Sequence, residues 1–152
     1  MPWQTEVVVR YAETDAMGIV HHAVYPVWFE LARTDYIKGV GMSYAEMEKS
    51  GVMLPVTGIS CRYRLPARYD ETLVVTTRIT RLSPARIEFS YTVEKKDVGT
   101  LLAEGTSSHG FVSSGDFKPI SLKKAMPDLY SLMEKKAAED VQPLLNEGRT
   151  YP

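Results

Sequence analysis

Apolar and polar residues change rhythm several times along this chain. From Gln4 to Tyr11 they alternate, with Val7, Val9 and Tyr11 on one side, which predicts a strand. A loop follows to Tyr25. From Pro26 the apolar positions Val27, Trp28, Phe29, Leu31, Ala32, Tyr36 and Ile37 crowd a helical circumference, until Gly39 and Gly41 end the run. Proline suits the first position of that helix, where its missing N–H would have no partner anyway. So broad an apolar surface predicts a helix wrapped by other structure. Ser43-Tyr44-Ala45-Glu46 has the spacing of a capping box, opening a short helix that Gly51 closes. Period two then returns. Val52 to Leu65 reads as one long strand and Thr72 to Leu82 as a second. In a third, Ile87, Phe89, Tyr91 and Val93 share one face. Leu101 to Val112 reads as a last strand, with Gly105 and Gly110 marking bulges or close approaches. Pro127 to Asp140 predicts a closing helix with Leu129, Leu132, Met133 and Lys136 inward.

The strands are joined by short segments: Pro66 to Glu71, Ser83-Pro84-Ala85 and Lys96 to Thr100. Such joints fit antiparallel neighbours, because parallel crossovers need a dozen residues or more. The order is strand, long helix, short helix, four strands, helix. It predicts an α+β fold in which a twisted antiparallel sheet wraps one long central helix. The expected organisation is a single domain over residues 1–140 with a tail over 141–152. An open sheet of this kind exposes its edges, and pairing with another copy hides them.

Composition narrows the function. The chain has 152 residues, with 18 basic and 19 acidic side chains and a formal net charge of −1. No basic field is present to hold a nucleic acid. No apolar stretch approaches the length of a membrane span. The first residues lack the basic and apolar regions of a signal peptide, and the single Cys61 forms no internal disulfide. These features predict a cytoplasmic protein.

The densest chemistry lies in Tyr11-Ala12-Glu13-Thr14-Asp15-Ala16-Met17-Gly18-Ile19-Val20-His21-His22, just ahead of the long helix. Helix N-termini carry unpaired N–H donors and partial positive charge, so they suit an anion or a developing oxyanion. Asp15 on its own would be a helix-entry cap. Glu13, Asp15, His21 and His22 could suggest a metal, but adjacent loop residues rarely face one ion, and none is expected. His21 reads as solvent-facing or as a support behind the site residues, and Cys61 as a small core residue. His109 reads as a surface or interface residue. The stripe of Trp28, Phe29 and Tyr36 reads as core first and ligand pocket second.

Tyr11, Glu13-Thr14-Asp15, Gly18-Ile19-Val20, His22-Ala23, Tyr25 and Trp28-Phe29-Glu30 together resemble the signature of the hot-dog-fold acyl-CoA thioesterases of the 4-hydroxybenzoyl-CoA thioesterase type, in particular the branch that includes the Tol-Pal-associated thioesterase. The order of later strands is also similar, over roughly residues 3 to 130. The resemblance implies hydrolysis of a coenzyme A thioester without metal or cofactor. It implies Asp15, His22 and Tyr11 as catalytic residues. It also implies a homodimer or homotetramer with sites at the subunit interface. Val24 stands where the family commonly has asparagine, so that side-chain contact is not implied.

Within this frame Asp15 attacks the carbonyl or activates a water. Backbone N–H groups at His22 and Ala23 polarise the carbonyl, and Gly18 permits a tight turn below the substrate. The phosphates of coenzyme A need cations, for which Arg86, then Arg81 and Lys118, are the choices. Val20, Trp28, Phe29 and Met53 are expected along the acyl group, which is short- or medium-chain aliphatic or aromatic. The alternatives are a non-catalytic module of the same fold that binds acyl thioesters or serves in assembly, and a dehydratase of hydroxyacyl thioesters.

Overall fold

The structure, a computed structural model, describes residues 2–147, with side chains through Asp140. Its elements are β1 (Trp3–Val8), α1 (Tyr25–Val40), α2 (Tyr44–Lys49), β2 (Val52–Met53), β3 (Val56–Tyr63), β4 (Thr72–Leu82), β5 (Arg86–Lys95), β6 (Leu101–Gly110), β7 (Val112–Ser113), α3 (Leu122–Ala125) and α4 (Pro127–Glu147). Five strands form one antiparallel sheet in the order β1-β4-β5-β6-β3, and β2 pairs with β7 in a small second sheet. Two predicted strands are therefore each divided. Val52 to Leu65 breaks at Leu54-Pro55, and Leu101 to Val112 breaks at Phe111. Proline has no N–H for a ladder, so Pro55 is a natural break. Helix α4 continues past Asp140 to Glu147, into the segment expected as tail; residues 148–152 lie outside the described residues.

The core lies between the sheet and α1. Tyr91, Gly105 and Cys61 share one cross-sheet row, and Phe29 of α1 stacks on Tyr91 with ring centroids 4.4 Å apart. Gly105 makes that approach possible. A Cβ there would sit 2.5 Å from the Phe29 ring and 2.5 Å from the Ser60 carbonyl oxygen. On β5 the alternation holds: Ile87, Phe89, Tyr91 and Val93 are all buried.

Helix α1 is not enclosed all round within one chain. Val27 and Leu31 are half exposed, and β3, an edge strand, leaves Val56, Ile59 and Tyr63 exposed with Leu65 just beyond it. At the other end of the sheet β1 begins at Trp3 opposite Thr77, so beyond that point β4 keeps β5 on one side and has no strand on the other. Helix α4 fills the gap. Asp140 Oδ2 accepts from the Ile79 N–H (2.9 Å) and from the Tyr36 hydroxyl (2.7 Å), tying α4 to both sheet and α1. Leu129, Tyr130 and Met133 bury the inner face of α4, whereas Leu132, expected inward, is 45% exposed. The helical phase that buries Leu129 and Met133, four apart, together with Tyr130, turns Leu132 outward.

Candidate active site

The segment before α1 is closed by its own hydrogen bonds. Thr14 and Val20 form an antiparallel bridge, the Asp15 N–H donates to Ile19 O, and the Gly18 N–H donates to Asp15 O. Gly18 has φ +78°, the left-handed region that a side chain disfavours. The turn leaves the Met17 N–H pointing back at Asp15 Oδ1 (2.9 Å). One carboxylate oxygen of Asp15 is thus fixed. The other accepts no hydrogen bond among the described residues, at the wall of a cavity of about 320 Å³. His22, Tyr25, Tyr63 and Arg64 line the same cavity.

Glu13 holds this loop to the helix. It is buried, and its carboxylate accepts from the Arg10 N–H (2.8 Å), the Trp28 Nε1–H (3.0 Å) and Arg10 Nη2 (3.4 Å). Its part in holding the loop is not among the roles the sequence suggests for it. The signal available was a carboxylate inside the motif, followed fifteen positions later by a tryptophan whose N–H needs a partner when buried. From the edge strand, the Tyr63 hydroxyl donates to the His22 carbonyl (2.7 Å), which pins the helix entrance from the far side.

A short 3-10 turn over His22–Val24 runs directly into α1, so the backbone donors expected at His22 and Ala23 belong to that turn. His21 is exposed, as expected, and also acts as the cap: its Nδ1 accepts from the Ala23 N–H (3.0 Å). The Ala23 N–H, expected to polarise a carbonyl, is thereby already used. The His22 N–H, first in the turn, has no carbonyl one turn behind it to accept it.

Tyr11 does not join the cavity. It is 77% exposed and packs edge-to-face on Tyr69. The 3-10 turn of Tyr11–Glu13 follows β1 at once and rotates Tyr11 off the inward face shared by Val7 and Val9. Trp28 and Phe29 are core residues, and of the four expected acyl contacts only Val20 lines this cavity. Arg81, Arg86 and Lys118 do not line it either. In the strand register Arg81 lies opposite Glu88 and Arg86 opposite Gly110, while Lys118 Nζ lies 3.9 Å from Asp116. The cation that does line the cavity is Arg64, paired with Glu104 at 2.7 Å.

A second cavity, of about 370 Å³, opens elsewhere on the chain. Val52, Met53, Leu54, Pro55 and Val56 form its apolar wall, with Arg33 and Tyr44 inside it. The two cavities share no residue. His109, expected at a surface, lies fully buried behind this second cavity, because β6 continues its inward alternation through Gly105, Ser107 and His109. No helix among the described residues is long and apolar enough to cross a membrane, and no group of three or more His, Cys, Asp or Glu there could hold a metal ion.

Comparison with known proteins agrees with this architecture. Residues 9–131 match the Thioesterase-like superfamily. The chain is 45% identical over 130 residues to YneP of Bacillus subtilis (strain 168), described as a candidate acyl-CoA thioesterase, covering 86% of this chain and 94% of that protein. It is 31% identical over 118 residues to the acyl-CoA thioester hydrolase YbgC of Escherichia coli O6:H1, covering 78% and 87%. Among solved structures, a DHNA-CoA thioesterase from Staphylococcus aureus superposes with a TM-score of 0.85 at 37% identity, over 99% of this chain and 97% of that one. The chain belongs to the Thioesterase-like superfamily, as a hot-dog-fold thioester hydrolase with the acyl-CoA thioesterase activity of that family.

Proposed function

We propose that this protein hydrolyses the thioester of a short- or medium-chain or aromatic acyl-CoA to the free acid and coenzyme A, with Asp15 acting on the carbonyl. The observation that carries this reading is the Asp15 carboxylate, which has one oxygen fixed by the Met17 N–H and stands with His22 at the wall of one cavity. As a nucleophile, Asp15 adds to the carbonyl carbon and expels the thiolate, leaving a mixed anhydride that water cleaves. As a general base, it takes a proton from a water whose oxygen adds to the same carbon, and collapse again expels the thiolate. The His22 N–H and the dipole of the turn stabilise the oxyanion in either course. A thiol with a pKa of roughly 8.5 leaves with little protonation, so the His22 imidazole is an auxiliary. No metal or cofactor enters the reaction, and the single unpaired Cys61 suits the cytoplasm.

The working unit in this reading is a homodimer joined along β3, which pairs further into a tetramer. The outer edge of β3 has unpaired backbone groups, and Val56, Ile59 and Tyr63 with Val27 and Leu31 make the adjoining surface apolar. Antiparallel pairing of β3 with itself about its midpoint sets Tyr63 opposite the partner's Val56. The Asp15 cavity, walled by Tyr63 to Pro66, then meets the partner's wall of Met53 to Val56.

Thiol release from a panel of acyl-CoA esters tests the chemistry. Asp15→Asn and Asp15→Ala are expected to lose at least about a hundredfold in kcat with the fold intact. Near wild-type turnover by both would defeat the assignment. Ile59→Arg is expected to lower the sedimenting mass by splitting the β3 pairing.

A further inference from the structure

Two hydrogen bonds tie the segment around Asp15 to the end of the edge strand β3. The Val20 N–H donates to the Ala67 carbonyl (2.9 Å), and the Tyr63 hydroxyl donates to the His22 carbonyl (2.7 Å). The first is ordinary backbone pairing. The second comes from a half-exposed phenol that has water to bond with, so burial does not dictate it. Strand register does. Ile59, Cys61 and Tyr63 share one face of β3, with Cys61 opposite Gly105 and Tyr63 opposite Ala103. The Tyr63 ring packs edge-on against Tyr25 (centroids 5.1 Å apart). Tyr25 packs against Trp28 (5.0 Å), whose Nε1–H is held by Glu13. These contacts place the phenol beside the turn from which α1 starts.

The His22 carbonyl and the Ala23 N–H belong to one planar peptide group. Tyr63 holds its oxygen and His21 Nδ1 holds its N–H at 3.0 Å, so the plane is fixed at both ends. The preceding peptide is tied only by its oxygen, which accepts from the Val24 N–H (3.0 Å). Its own N–H, that of His22, is the donor left over. Only the two torsions of His22 lie between these planes. With both tied, the free donor keeps one direction. Without the Tyr63 contact the plane is free to rotate, and the donor turns with it. Partial burial and then the neighbouring Cys61 push the Tyr63 hydroxyl up to about 12, so it keeps its proton at neutral pH. That one proton goes to the His22 oxygen and leaves none for a departing thiolate.

We infer that Tyr63 is a positioning residue of the hydrolysis: its hydroxyl sets the peptide plane that aims the His22 N–H at the thioester carbonyl. The inference rests on the thioesterase reading above and adds to the Asp15 loop a residue from the far wall of the same cavity. An oxyanion donor acts most strongly when it is held in place before charge develops, because nothing then has to reorganise during reaction. Tyr63 supplies that hold without touching the reacting atoms. A purely structural tyrosine would change folding stability and leave turnover by the folded protein unaltered.

The test compares wild type, Tyr63→Phe, His21→Ala and the double variant on benzoyl-CoA and hexanoyl-CoA, with urea unfolding of each. Tyr63→Phe keeps the ring against Tyr25 and removes only the oxygen. It is expected to lower kcat about 10-fold with KM within about twofold, a smaller loss than removal of an oxyanion donor itself causes. His21→Ala releases the other end of the same peptide from an exposed side chain. It is expected to lower kcat several-fold, and it serves if the Phe variant does not fold. Because both act through one peptide, the loss in the double variant is expected to fall short of the product of the two. A second readout needs no turnover. In an Asp15→Asn background, the infrared stretch of the thioester carbonyl of bound benzoyl-CoA is expected to lie below its value in water, and Tyr63→Phe to reverse part of that shift. A kcat within about twofold of wild type in folded Tyr63→Phe, or a loss confined to KM, overturns the inference while leaving the hydrolase reading in place. An unshifted carbonyl, or a shift that Tyr63→Phe leaves untouched, overturns it as well. A Tyr63-dependent shift with no thiol released by wild type from any ester of the panel would uphold the positioning and defeat the hydrolase.

Discussion

Lowering the pH from 7 to 5 is expected to destabilise this protein through one buried side chain. His109 has no exposed surface, and burial followed by the Arg33 charge lowers its pKa from 6.5 to about 4. Between those values the unfolded chain binds a proton that the folded chain refuses. The stabilising contribution is therefore complete above about pH 6.5 and is lost as pH falls towards 4. At pH 5 the loss is about 2 kcal/mol, and it reaches about 3 kcal/mol below the folded pKa. The physical conflict is local. A protonated Nε2 would face the Ser107 hydroxyl, which would have to turn its own hydrogen towards Tyr91. Tyr91 also accepts from Arg33, so one buried hydroxyl hydrogen would be left without an acceptor. Urea unfolding of wild type and His109→Gln, at fixed protein concentration and at both pH values, measures this term. Comparing the two proteins removes every contribution common to both. The stability gap between wild type and variant is expected to shrink by about 2 kcal/mol at pH 5. A gap that stays constant would refute a neutral His109 in the folded protein.

Two further predictions follow from packing around the loop and core. Glu13→Ala leaves the Arg10 N–H and the Trp28 Nε1–H without their acceptor; it is expected to cost about 2–3 kcal/mol in thermal or urea unfolding and to lower kcat more than it raises KM, because the Asp15 loop loosens. Gly105→Ala drives a methyl into the Phe29 ring and the Ser60 carbonyl; a loss of about 1–3 kcal/mol or more is expected in the same unfolding assay, and a neutral result would mean that α1 can lift from the sheet.

Much of this architecture was legible in the order of residues. The strand over Thr72 to Leu82 and the inward set on β5 depend only on local alternation, and both were correctly placed by it. Asp15 and Gly18 stood out because a tight turn before a helix needs such residues. What was not legible depends on partners distant in the chain. Pairing Arg33 with Tyr91 spans 58 positions and joining Tyr36 to Asp140 spans 104, and no local window contains either. A register clue did exist for His109. It shares the odd-numbered inward phase of Ala103, Gly105 and Ser107, so the same period-two argument applied to β5 would have buried it. The break at Pro55 was also readable, from a residue that cannot donate to a ladder.

The lack of any common lining residue between the Asp15 cavity and the Arg33 cavity has a consequence for descent. The two walls come from separate stretches of chain, so side chains around Arg33 can be exchanged while the Asp15 loop is inherited unaltered. Either cavity can then be reshaped across generations without a compensating change in the other.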